Sequence, residues 1–333
     1  MMISLGDMAQ TFLQRRQNFD LKAEVQRRSQ EMTTGIALDM GRHVAGDFAP
    51  LAGIDSALAR LQGYRRTTSE AELFTGAMQT ALGTVEDTAT LLAPVLFSAS
   101  TSANVGSVAA AGREARQAFD TIVSMYNTRL GDRALFAGDE TARSPLVNAD
   151  TLLAQMEVAI TGAVSVGDVE AALDTWFSDP LGFMTQAYQG GAVLDGLPVG
   201  PGQVARIDVT AADPAIRETL KGFAMAALLD RGLFAGQDAA RVQVMRRSGE
   251  VLAEGASSRA HMAGRLGTTE GQIAAAAARN MAEVSALEIA RNGLVSLDPF
   301  EAATKLEAAQ SQLEALYTVT ARLSRLSLVD FLR

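Results

Sequence analysis

Two histidines, His43 and His261, are the side chains in this sequence whose ordinary titration falls near neutral pH. Either could act as a general base or a metal ligand. A Ser–His–acid triad or a zinc site needs several such groups converging, and neither histidine has an acid–nucleophile pattern around it. The chain contains no cysteine, which excludes thiolate nucleophiles, thiolate metal sites and disulfides. Acid pairs such as Asp47/Asp55 and Asp174/Asp179 could hold a cation, but acids at such spacing commonly sit in loops and helix caps. The glycine-rich stretch 196–202 contains Pro198 and Pro201 and lacks a following lysine, so it reads as a turn, not a phosphate cradle. No P-loop, dinucleotide fingerprint or metalloprotease helix motif appears. No catalytic, metal or cofactor-binding residue is therefore assigned, no cofactor is expected, and an enzyme is not expected.

The elements around these residues are mostly helical by composition. The chain has 333 residues, enough for two or three domains, with 48% hydrophobic but only 5% aromatic residues and eight prolines. A net charge of −9 argues against nucleic acid as a partner. The short basic pairs Arg15–Arg16, Arg27–Arg28 and Arg246–Arg247 read as solvated helix faces. No apolar run approaches a membrane span, so no membrane partner is expected. The opening residues show no basic region, apolar core or cleavage site. That suits a cytoplasmic chain or a substrate of a route that cleaves no signal peptide. Freedom from cysteine suits a chain exported unfolded.

Spacing predicts one helix over 7–34, stopped by Gly35, then an irregular stretch over 36–50. A second helix follows over 51–98, with Asp55 or Ser56 as caps and Pro94 as a kink or interruption. Val108, Ala111, Ala115, Phe119, Ile122 and Tyr126 form one apolar face of a third helix, expected to end near Leu130 with Gly131 beyond it. The segment 131–138 reads as a strand or hairpin. Two helical pieces are expected over 146–177, the second capped by Asp168, and a β-hairpin over 188–210. Helix resumes at Asp213-Pro214 and runs, interrupted near Gly232 and Gly236, to about 292. The last helix has Asp298 as cap, Pro299 in its first turn and Glu301 at the acid position of a capping box. If straight to Leu332 it is about 50 Å long. Leu-Phe-Ala-Gly occurs at 135–138 and again at 233–236, too little to make a repeat architecture.

Both terminal helices carry apolar stripes that must be buried against the other terminus, the chain's own core or a neighbouring chain. Phe12, Phe19, Leu21, Val25 and Met32 at one end, with Leu306, Leu313, Leu316, Leu323, Leu326 and Phe331 at the other, form the candidate assembly surface.

The last helix is similar to a known pattern. Asp298-Pro-Phe-Glu-Ala-Ala-Thr-Lys-Leu306, Leu313-Glu-Ala-Leu-Tyr317 and Ala321-Arg-Leu-Ser-Arg-Leu-Ser-Leu-Val-Asp-Phe-Leu332 resemble the C-terminal signature of the flagellin family. Asn127-Thr-Arg-Leu-Gly-Asp-Arg-Ala-Leu-Phe-Ala-Gly138, Tyr188-Gln-Gly190 and Ala212-Asp-Pro-Ala-Ile-Arg-Glu-Thr-Leu220 resemble segments of its hook–filament junction branch, also called the third hook-associated proteins. The flagellin-type Asn-Thr-Asn opening and Arg-Ile-Asn-Ser-Ala-Asp-Asp run are missing.

The resemblance implies a mainly α fold. In it, a long antiparallel coiled-coil and rod is built from both termini, and a small mixed α/β domain projects from the middle. It implies an inner terminal domain of 1–40 and 296–333. A helical rod of 41–145 and 206–295 would carry a short hairpin near 131–145, and an outward α/β domain would span 146–205. The implied role is a secreted structural subunit of the bacterial flagellum at the distal end of the hook. The implied partners are further copies in a helical ring, the first hook-associated protein, flagellin and a flagellar export chaperone. The alternatives are a flagellin-like filament subunit and, from another class, a soluble helical enzyme or binding protein.

Overall fold

The computed structural model describes residues 5–102 and 104–331. The side chains of 5–7, 10, 11 and 323–331 fall outside this description. The fold is mainly α with a small β component of two separate two-stranded antiparallel sheets. In chain order the elements are α1 (Leu5–Thr34), α2 (Met40–His43), α3 (Ala49–Ser102), α4 (Val105–Tyr126), β1 (Arg129–Leu130), β2 (Arg133–Ala134), α5 (Ala149–Ala159), α6 (Val166–Ser178), α7 (Phe183–Gln186), β3 (Leu194–Gly200), β4 (Gln203–Ile207), α8 (Pro214–Asp230), α9 (Asp238–Glu254), α10 (Ala256–Val295) and α11 (Pro299–Phe331). Two compact units form: 1–60 with 282–333, and 61–281.

The larger unit is organised on α4 and α8. All six stripe residues of α4, from Val108 to Tyr126, are buried. Full burial of a side chain such as Phe119 or Ile122 stabilises by about 1.5–3 kcal/mol. From Gly222 to Leu229 every residue of α8 is buried, as expected of a helix apolar all round. Its start follows the sequence: Asp213 caps it, its carboxylate accepting from Ala215 N at 2.9 Å, with Pro214 in the first turn. Against Gly222 a Cβ would meet Leu252 at 2.7 Å, so α8 and α9 approach where a side chain is missing.

Residues 146–205 hold α5, α6, α7 and β3. Leu152, Leu153, Met156, Val169, Leu173, Trp176 and Phe183 of α5–α7 enter the same core as α4 and α8. Around this apolar seam the charges are sorted by element. Arg116, Lys221, Arg231 and Arg247 face Asp150, Glu157, Glu170 and Asp174, with Arg231 Nε to Glu157 at 2.6 Å and Lys221 Nζ to Asp174 at 2.6 Å. The β3–β4 hairpin turns at Gly202 (φ +67°) and lies on α10. There buried Asn280 donates to the Val199 carbonyl at 2.7 Å.

Several local expectations are corrected. The cap of α6 is Ser165, not Asp168. The Asp168 carboxylate is the acid of a capping box, accepting from Ser165 N at 2.9 Å. α4 ends at Tyr126, short of Leu130, because Asn127 Oδ1 accepts from Leu146 N and the chain then pairs Arg129 with Ala134. Gly131 (φ +61°) consequently serves the β1–β2 turn, not a helix end. α3 begins at Ala49, whose N–H is taken by the Asp47 carboxylate at 3.0 Å, while Asp55 pairs with Arg291 at 2.8 Å. Pro94 does not interrupt α3. The Glu301 carboxylate meets Lys305 Nζ at 2.6 Å instead of turning back to the cap, and Asp298 alone supplies the capping oxygen to Phe300 and Glu301 N–H.

Candidate functional site

The smaller unit brings α1 and α11 together as an antiparallel pair. Its closed end is set by Gly35 (φ +68°), whose N–H bonds the Glu31 carbonyl at 2.8 Å and ends α1 in the left-handed region that favours glycine. The Gly35 carbonyl accepts from Leu297 N at 2.9 Å, and Ala37 N donates to the Val295 carbonyl at 3.1 Å. These bonds fix the register from which the helices run back alongside each other. Further along, the Lys22 ammonium lies over the Tyr317 ring at 5.9 Å.

The predicted C-terminal stripe faces this pairing. Ala302 and Ala309 are buried, and Leu306, Leu313 and Leu316 are half-buried, whereas the residues between them are mostly exposed. On α1, Leu21 and Val25 are half-buried. Phe12, Phe19 and Met32 are not covered: Phe12 is 67% and Phe19 74% exposed. Phe300 of α11 is 82% exposed. Leu323, Leu326 and Phe331 belong to α11, with side chains outside the described residues. Met8, Leu13, Tyr317 and Val319 add to the uncovered apolar surface. Spacing named Phe12, Phe19 and Met32 as candidate surface residues, but it did not tell that the α1–α11 pair leaves them exposed.

The residues with chemical potential do not assemble into a reaction centre. His261 lies exposed on α10, on a cleft of about 700 Å³ shared with Ser257, Ser258 and Asp213. That inventory resembles a triad on paper. However, Asp213 gives one carboxylate oxygen to the cap of α8 and the other to Arg265, so it does not orient the imidazole. His43 sits exposed on α2. Asp174 pairs with Lys221, and Asp179 accepts from Leu181 N at 2.8 Å. Among the described residues, no group of His, Asp and Glu is placed to hold a metal ion. Nor is any helix among them long and apolar enough to cross a membrane.

The Arg247 guanidinium forks onto Glu170 at 2.8–3.1 Å and holds that carboxyl below the usual carboxylate range. Burial pushes the Tyr126 hydroxyl far above the ordinary phenol value. Thr219 lies near enough to ease that shift, yet outside hydrogen-bonding geometry, and donates its own proton to the Ala215 carbonyl at 2.6 Å. A buried hydroxyl without a partner costs about 1–3 kcal/mol.

No protein-family model matches the chain, and no curated protein matches it. Among solved structures, a protein described as a flagellar hook-associated protein from Vibrio parahaemolyticus is similar at 14% identity and a TM-score of 0.45, covering 72% of this chain and 94% of its own. FlgL of Bacillus cereus is similar at 14% identity and a TM-score of 0.45, covering 71% of this chain and 100% of its own.

Proposed function

We propose that this chain is a non-catalytic structural subunit of the bacterial flagellum, an adaptor at the hook–filament junction. One observation carries the reading. α1 and α11 pair antiparallel and still leave large apolar side chains, Phe12, Phe19 and Phe300 among them, facing water. Exposed apolar surface of this kind marks a face that other chains cover. The motifs of 127–138 and 298–332 supply the flagellar identity of those chains. The partners are further copies of the same chain in a helical ring, the first hook-associated protein on the hook side and flagellin on the filament side, with an export chaperone before assembly. In this arrangement 1–40 and 296–333 form the inner layer and 41–145 with 206–295 form the rod. Residues 146–205 are the outward part.

The test is the double substitution Leu313→Asp with Leu316→Asp. Both side chains are half-buried on α11. The variant keeps the helical signal of 61–281 and loses incorporation into the flagellum. Normal swimming with attached filaments in that variant would sink the proposal. The rival filament-subunit reading makes the opposite forecast for the wild-type chain, which would then polymerise alone into long filaments.

A further inference from the structure

We draw no further inference here: the strongest candidate, the half-enclosed cavity of about 280 Å³ between α3 and α10 walled by Leu82, Val85 and Met262, is an unpartnered apolar face, and nothing in the structure shows what covers it.

Discussion

Replacing Gly138 by alanine, beside the same change at Gly131, separates two costs that are usually entangled. The two glycines have nearly equal backbone angles, φ +63° and φ +61°. At Gly131 an added Cβ meets nothing within 4 Å, so Gly131→Ala carries only the left-handed penalty, about 1–2 kcal/mol. At Gly138 the same Cβ would lie 1.9 Å from the Ala192 carbonyl oxygen. That oxygen accepts from Asp139 N at 2.9 Å, and the neighbouring Gly191 N donates to the Ala137 carbonyl at 2.9 Å. The backbone must separate, straining two hydrogen bonds worth about 0.5–1.5 kcal/mol each. Gly138→Ala is therefore expected to lose about 2–5 kcal/mol in total, a large share of a typical domain stability of about 5–15 kcal/mol. Urea unfolding followed by Trp176 fluorescence measures it, since Trp176 is buried in the core that contains Phe136. The midpoint shifts and the slope is unchanged. If the two variants lie within about 0.5 kcal/mol of each other, the close backbone crossing at 138–192 is not a determinant of stability.

Three further outcomes follow from polar groups of the larger unit. Glu170 has a lowered pKa in the folded chain, so its stabilising share is present above about pH 4.3 and lost as pH falls through the folded value. Thermal melts of wild type and Glu170→Gln should accordingly converge at acid pH; a constant gap would contradict the Arg247 fork. Tyr126 has a raised pKa, so its neutral form stabilises fully below about pH 10 and that share is lost as pH rises further. Tyr126→Phe should flatten the alkaline limb of the stability curve, and an unchanged limb would refute the assignment. Asn280→Ala leaves the buried Val199 carbonyl without its donor and should cost about 1–3 kcal/mol, with faster amide exchange confined to β3 and β4. Uniform exchange across that unit would mean the hairpin is held by other contacts.

Periodicity carried most of what was legible in the sequence. The α4 stripe was readable residue by residue because one face meets a single apolar core, and Asp213-Pro214 marked α8 through local capping chemistry. The errors were local competitions. Ser165 and Asp168 are both good caps, and spacing cannot say which precedes the turn. Asn127 left its helix for a bond to Leu146, a partner fixed only by the tertiary fold. The two Leu-Phe-Ala-Gly segments diverge for the same reason. Leu135 to Ala137 are buried beside 190–192, whereas 233–236 is a turn with Phe234 at φ +54°. On the candidate surface, spacing named Leu306, Leu313 and Leu316, which are half-buried, and Phe12 and Phe19, which are exposed, without telling which of them the helix pair covers. An isolated pair of helices covers only one side of each, so which stripe residues stay exposed is decided by tertiary packing.

The most direct measurement of the central claim is amide hydrogen exchange on the purified chain. Among described side chains the α1–α11 pair buries only Glu31, Ala302 and Ala309, whereas α8 is buried almost throughout. Few buried apolar contacts mean a low opening free energy. The account predicts fast exchange along α1 and α11, with strong protection in α4 and α8, because the terminal helices are held for neighbours in an assembly. Terminal helices as protected as α8 would show a surface satisfied within the single chain, and would contradict the structural-subunit reading.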